Sequence, residues 1–341
     1  MKTLYVSDLQ KSLIISGEAF LIISCEKSED KNGRSYYRLV LGDKTGKIDA
    51  KLWSDALLKT DEKILKSGNV VKVSGKVDEF KGTLQLNLMT LEKVDESKLD
   101  DFLESSMFDP DEMVKELDEE IHKIKNTKIK DILLKIVNDQ EIRRRLKYWP
   151  AASVVHHNFR SGLLQHILEM LTISKSLVRF YPNADFDILT AGIVLHDLGK
   201  IYELDGNDLA VPYSKEGMLI GHINLSLQLF EKFGGKNLPK DTYLHIAHLI
   251  LSHHGTHEFG SPVLPATLEA IMLTYIDDLS AKARTADSVI KRIPINESFS
   301  QRVVWLENAK MWKGGNGDET TESDIPQDTE DIEKLTEQLE F

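Results

Sequence analysis

Cysteine occurs once in the 341 residues, at Cys25, which excludes an internal disulfide and any Cys-rich zinc site. Cys25 sits in an apolar, strand-like run and reads as a small buried hydrophobe. No apolar run approaches the roughly 20 residues that a helix needs to cross a bilayer. The opening Met1-Lys2-Thr3-Leu4-Tyr5 lacks the apolar core of a secretory leader and meets an acid by Asp8. These absences predict a cytoplasmic location with no membrane partner. Positive charge is also in deficit: 43 Lys and Arg face 55 Asp and Glu, a net charge of −12. What is present is a globular mixture, 41% hydrophobic and 29% charged, long enough for two domains and a sizeable core.

The negative sum disfavours a polyanionic partner, but its distribution matters more. Residues 313–341 hold ten acids against two lysines, whereas residues 1–94 hold sixteen basic against thirteen acidic side chains. The acidity therefore belongs largely to the tail, and nucleic acid remains an option at the N-terminal end.

Five strand-like runs occupy residues 18–91: Glu18–Ser24, Ser35–Leu41, Lys47–Trp53, Asn69–Val77 and Thr83–Leu91. Turn pairs separate them, among them Asn32-Gly33, Thr45-Gly46 and Lys81-Gly82. Between the third and fourth runs, Ala56, Leu57, Ile64 and Leu65 predict a helix over Asp55–Ser67. Five strands with a helix after the third is the order of an OB-fold β-barrel. The last two strands, with Gly75 and Gly82 around Phe80, resemble the anticodon-binding type of OB domain.

From Asp95 the pattern turns helical and highly charged. Asp109-Pro110-Asp111-Glu112 is a helix start, with a capping Asp, Pro at the first helical position and acids in the first turn. A second helix, Lys128–Val137, follows Asn126-Thr127. From Trp149 to about Trp305 the reading is almost entirely helical, and Gly314-Gly315-Asn316-Gly317 opens a polar acidic run that reads as disordered. The expected class is multidomain α+β. Its parts are an OB-fold domain over 1–94, a helical connector over 95–145, an all-α domain over 146–312 and an acidic tail over 313–341.

Ten of the eleven histidines fall between His156 and His257. In order they include His166, the pair His196-Asp197, His222 and the pair His253-His254, followed by Asp277-Asp278. Imidazole and carboxylate together suit Mn²⁺, Fe²⁺, Zn²⁺ and, with more oxygen, Mg²⁺. Two such ions about 3.5–4 Å apart can clamp a phosphodiester and activate water for in-line attack. Taken singly, each helical histidine has a structural alternative, because buried His–carboxylate pairs also form without metal.

The spacing and flanks resemble the HD superfamily of phosphohydrolases. The matches are Gly162-Leu163-Leu164-Gln165-His166, His196-Asp197-Leu198-Gly199-Lys200, Gly221-His222, Ser252-His253-His254-Gly255 and Tyr275-Ile276-Asp277-Asp278-Leu279. The resemblance implies that His166, His196, Asp197 and Asp277 hold one ion, and that Asp197, His222, His253 and His254 hold the other. It implies catalytic roles for Asp197 and for Lys200, the latter over the substrate phosphate. His157 and Arg160, with His156, are further candidates for that phosphate. Asp278 competes with Asp277 as the last ligand, and the family's register favours Asp277. His245 and His248 match no ligand position and read as core or supporting residues; His257 reads as loop surface.

An OB-fold ahead of an HD domain, joined by helices, resembles the YhaM family of bacterial 3′–5′ exoribonucleases over about residues 1–312. That resemblance implies a hydrolase that removes nucleotides from the 3′ end of single-stranded RNA, with single-stranded DNA as a second substrate. Its cofactors would be two divalent ions, Mn²⁺ first and Mg²⁺, Fe²⁺ or Co²⁺ as alternatives; a homo-oligomer is compatible with it. Strand alternation offers an RNA face of its own. With Tyr37, Leu39 and Leu41 inward, Tyr36 and Arg38 point out; with Ile48, Ala50 and Leu52 inward, Lys51 and Trp53 point out. Rings between cations suit stacked bases and their phosphates, unless those rings pack on the connector helices instead. The alternatives are an HD-type phosphodiesterase for cyclic dinucleotides, other nucleotides or alarmones, and a non-catalytic nucleic-acid-binding factor. After His254 the chain lacks the Gly-Tyr-Pro element that marks the cyclic-di-GMP branch, and the intact ligand series argues against a relict domain.

Overall fold

The structure is a computed structural model that describes residues 2–29, 33–80, 83–94, 101–102, 105–152, 157–204, 213–294 and 297–314. It divides into two compact units, Met1–Ala281 and Lys282–Phe341.

The first unit opens with a closed barrel of β1 (Ile14–Glu29), β2 (Ser35–Asp43), β3 (Gly46–Leu52), β4 (Val70–Phe80) and β5 (Thr83–Lys93), in the order β1-β2-β3-β5-β4. Antiparallel pairing joins all neighbours except β3 and β5, which run parallel from Asp49↔Gln85 to Leu52↔Leu88. β1 is long enough to pair with both β4 and β2. It changes register at Gly17, whose φ of +68° only glycine takes without strain, and this bend closes the barrel. Alternating Leu39, Leu41, Ile48, Ala50 and Leu52 fill the interior with Phe20, Ile22, Val71, Val73 and Leu86.

The expected helix over 55–67 is replaced by a single turn, α1 (Ser54–Leu57), and a separate 3-10 turn at Glu62–Ile64. The reason is local: the Asp61 side chain accepts a hydrogen bond from the Lys63 amide, so the chain starts a new turn there.

Three capped helices follow: α2 (Pro110–His122), α3 (Thr127–Val137) and α4 (Gln140–Tyr148). Asp109, Asn126 and Asp139 each accept from two amides in the first turn of the helix they cap. Met113, Leu117, Ile121, Ile129, Leu133, Ile136, Ile142 and Leu146 share one buried core with the helices that come next. The expected connector is therefore a wall of the helical body. Each of these side chains contributes about 1.5–3 kcal/mol by leaving water.

That body contains α5 (Gly162–Leu177), α6 (Phe186–Leu195), α7 (Lys200–Glu203), α8 (Lys215–Ile220), α9 (His222–Lys232), α10 (Lys240–Ser252) and α11 (Leu268–Lys291). Helix α6 is apolar on nearly every side and buries seven of its ten residues. It can lie this close to α10 because residue 192 is glycine; a Cβ there would overlap Leu249. A helix wrapped in this way has fixed ends, and its C-terminal end carries His196-Asp197.

The second unit holds the C-terminal end of α11 and a hairpin of β6 (Phe299–Val303) and β7 (Ala309–Trp312). This hairpin corrects the all-helical reading of the segment up to Trp305. Its turn uses Glu307 and Asn308, both at positive φ, without the glycine that usually betrays such a turn. The acidic run, expected to be disordered, lies outside the described residues from 315 onward. Among the described residues no helix is long and apolar enough to cross a membrane.

Candidate metal centre

Five elements deliver the implied ligands to one place. His166 stands in the second turn of α5, entered through Ser161 at φ +67° and Gly162, where a Cβ would overlap the His157 carbonyl. His196 and Asp197 follow α6, His222 opens α9, His253 and His254 follow α10, and Asp277 lies in α11. Gly199 and Ser226 draw α9 against the His196-Asp197 turn. The Gly199 amide donates to Ser226 Oγ at 2.7 Å, and Ser226 Oγ donates to the His196 carbonyl at 2.9 Å. Any side chain at Gly199 would overlap His222 O.

The two oxygens of Asp197 face opposite ways. Oδ2 lies 3.4 Å from His196 Nε2 and 3.9 Å from His166 Nε2, while Oδ1 lies 3.3 Å from His222 Nε2 and 3.6 Å from His253 Nε2. Two groups able to hold a metal ion result, one of His166, His196 and Asp197, the other of Asp197, His222, His253 and His254. Within each, the ligand atoms lie within 4.8 Å of one another. Asp277 Oδ1 lies 3.1 Å from His166 Nε2, beside the first group, whereas Asp278 is exposed.

Five rings are held through Nδ1. His196 faces Ile193 O at 2.8 Å, His253 faces Ile250 O at 2.8 Å, and His254 faces Phe259 O at 2.8 Å. His222 faces Glu203 Oε1 at 3.0 Å, and His166 faces Ser280 Oγ at 3.0 Å. Carbonyl and carboxylate oxygens only accept, so His196, His222, His253 and His254 carry their proton on Nδ1 and offer a lone pair from Nε2. Among the described residues, Nε2 of His196, His222 and His253 and Oδ1 of Asp197 are buried without a hydrogen-bond partner. Such orphaned atoms are costly unless something polar binds them. Four imidazoles sharing a carboxylate are a donor set that fits a divalent transition ion. The cluster is a divalent-metal site.

Electrostatics agree with that chemistry. Burial alone would raise the Asp197 carboxyl, but the Lys200 ammonium and His196 outweigh it and hold Asp197 well below the usual carboxylate range. Burial opposes ionisation of Asp277 as well, yet contact with His166 and the nearby His196 hold it low. Burial pushes His253 and His254 down, which keeps them neutral and ready to ligate. His196 also feels burial, but the Asp197 carboxylate beside it prevails and raises it. Lys200 Nζ reaches Asp197 Oδ2 at 2.6 Å, the only rim cation paired with that carboxylate among the described residues.

His157 is buried beside the cluster, its ring 5.1 Å from that of His166 and its Nε2 3.0 Å from Glu169 Oε2, so this nitrogen is engaged by a carboxylate. Arg160 lies over the Tyr148 ring at 4.3 Å, and His156 is outside the described residues. His245 meets Glu269 and Thr267, His248 accepts from the Ala266 amide, and His257 faces Ser261 O in its loop. Glu203, Ser226, Glu169 and Ser280 were not legible as site residues, because nothing in local sequence marks a hydrogen-bond partner supplied from another helix.

On the barrel, Tyr36 and Trp53 stack on each other at 4.8 Å. Lys51 Nζ lies 5.5 Å from the Trp53 ring and 5.6 Å from Phe80, and Arg38 pairs across the strands with Lys51. Phe80 and Asn87, whose side-chain oxygen accepts from Trp53 Nε1 at 3.2 Å, complete this face. Tyr37 is half-buried, as the alternation predicts, and its hydroxyl donates to Glu62.

Comparison with known proteins gives both halves a family. An HD domain model matches residues 163–282, and a model described as an OB-fold nucleic acid binding domain matches residues 21–94. The 3′–5′ exoribonuclease YhaM of Bacillus subtilis is 38% identical over 297 residues, 86% of this chain and 93% of its own length. The protein of that name from Halalkalibacterium halodurans is 36% identical over 298 residues, covering 86% of this chain and 91% of its own. That from Bacillus velezensis is 38% identical, with 86% and 93% covered. With both domains matched in order along nearly the full length of these relatives, the chain belongs to the YhaM family of 3′–5′ exoribonucleases.

Proposed function

We propose that this protein is a metal-dependent 3′–5′ exoribonuclease. It hydrolyses single-stranded RNA, and to some extent single-stranded DNA, from the 3′ end to nucleoside 5′-monophosphates in the cytoplasm. The observation that carries this reading is the two-sided Asp197 carboxylate, with His166, His196 and Asp277 on one flank and His222, His253 and His254 on the other. His166, His196, Asp197 and Asp277 would hold one ion, and Asp197, His222, His253 and His254 the second, with Mn²⁺ the ion that the family resemblance implies. Bound there, divalent ions supply Lewis-acid charge and acidify water.

The chain's own residues do the rest. Backbone carbonyls and Glu203 keep the imidazole protons away from the centre. Lys200, 2.6 Å from Asp197, supplies a cation that can turn to the scissile phosphate and offset charge as it develops. On the barrel, Tyr36, Trp53 and Phe80 give bases a stacking surface, and Arg38 and Lys51 follow the phosphates. The domain limits that go with this reading are 1–94, 95–145, 146–312 and 313–341.

The test follows a 5′-labelled single-stranded RNA with Mn²⁺, beside Asp197→Ala. A ladder shortening from the 3′ end, absent in the variant, supports the reading. RNA left intact by both proteins would overturn it and make cyclic dinucleotides the next substrates.

A further inference from the structure

We propose that Glu169, acting through Ser280, is the positioning residue that fixes the tautomer of His166 and so sets how tightly the first ligand group binds its ion. The proposal rests on the metal-site reading above and goes one layer outward from it.

Four of the five rings have partners whose direction is unambiguous. Main-chain carbonyls hold His196, His253 and His254, and the Glu203 carboxylate holds His222; all of these only accept. His166 is the exception. Its Nδ1 lies 3.0 Å from a hydroxyl, Ser280 Oγ, and a hydroxyl can donate or accept. Ser280 by itself would leave His166 free to carry its proton on either nitrogen. A proton on Nε2 would point at the ion.

Glu169 removes that freedom. Its Oε2 lies 3.0 Å from Ser280 Oγ. A carboxylate only accepts, so the single Ser280 proton goes to Glu169, and the Ser280 lone pair is left to take the proton on His166 Nδ1. The Ser280 proton and the proton on His166 Nδ1 are thus directed from the Glu169 end, against the pull of the Asp277 carboxylate, whose Oδ1 lies 3.1 Å from His166 Nε2. Glu169 is itself held by Gln165 Nε2 at 2.9 Å on one oxygen and by His157 Nε2 at 3.0 Å on the other. This gives the buried His157 a purpose that phosphate contact does not. Its positive φ of 49° and the glycine pressed on its carbonyl at Gly162 keep the ring against Glu169.

The experiment is an EPR titration of Mn²⁺ into the metal-free full-length protein, wild type against Glu169→Gln, Ser280→Ala and Ser280→Thr. The Gln amide can donate to Ser280, which turns the hydroxyl proton toward His166 Nδ1 and reverses the tautomer at almost constant volume. We expect E169Q and S280A each to weaken one class of Mn²⁺ site about 10- to 100-fold, the range for lost partners of metal-bound histidines. S280T, which keeps the hydroxyl, should bind as the wild type does. The double variant should bind no more weakly than the worse single, since both break one chain. Far-UV circular dichroism of the metal-free variants should be unchanged. Wild-type affinity in E169Q and S280A, losses that add in the double variant, or failure of S280T to rescue would overturn the proposal. A wild-type protein that binds no Mn²⁺ would overturn the metal-site reading together with it.

Discussion

Asp197 is the residue on which the site turns, because its two oxygens face different histidines and no other side chain stands in both groups. Lys200 acts on the same carboxylate from the rim. Neutralising it by Lys200→Ala removes a cation from beside Asp197 without removing a ligand. The expected result is a fall in single-turnover rate of about 10²–10³-fold, typical of losing one group that stabilises developing charge. Mn²⁺ affinity in an equilibrium titration should be undiminished, and weakened binding would instead make Lys200 a support for the ligands. At this scale the members of the His/Asp cluster were legible in the sequence, since His-Asp and His-His pairs advertise themselves by type and order. Ser226 and Glu203 were not, because each is an ordinary polar residue until a second helix approaches it.

Between elements, the Ser226 hydroxyl ties the α6–α7 turn to α9 through two buried hydrogen bonds. Ser226→Ala leaves the Gly199 amide and loses a donor to the His196 carbonyl, each buried orphan costing about 1–3 kcal/mol. Urea unfolding should show that loss, with Mn²⁺ affinity falling as His222 loosens from Asp197. The barrel offers a separable test. Trp53→Ala removes one stacking ring and the shelf under Lys51, and RNA affinity should fall by about 1–3 kcal/mol. Lys51→Ala should instead flatten the salt dependence of binding, because it releases one phosphate contact. If fluorescence anisotropy shows neither change, the Tyr36–Trp53 stack is a structural contact only. Strand identity on this face was readable from alternation, but Phe80 was not, because its neighbour Lys51 lies on a strand that does not follow it in sequence.

For the whole molecule, ions that bind only the folded state should raise its melting temperature. Adding Mn²⁺ at about 100 times its dissociation constant contributes about 2.7 kcal/mol. This corresponds to a rise of about 4 °C over the chelated protein in a chain of this size. No shift by calorimetry would mean the orphaned site atoms are satisfied some other way. The metal-free protein also has a defined acid limb. Asp197 and Asp277 are depressed in the folded state relative to an ordinary value of about 3.9. Their contribution is therefore present above pH of about 4 and is lost as pH falls through the depressed folded values. Unfolding on acidification should begin below that point.

Local pattern decided the barrel strands, the capped starts of the helices and the ligand series, because alternation, capping residues and residue type are properties of neighbours along the chain. It did not decide that the helices over 110–148 share a core with the helices that carry the His/Asp cluster, since an apolar stripe states that a face is buried and not against what. Nor could it decide the turn at Asp61, where one side-chain cap overrode helical spacing, or the glycine-free hairpin at Glu307-Asn308. Tertiary structure alone turned His157 inward, set Asp277 against His166 and supplied the five clustered histidines with their Nδ1 partners. Those outcomes depend on contacts between residues far apart in sequence, such as the 114 positions separating His166 from Ser280.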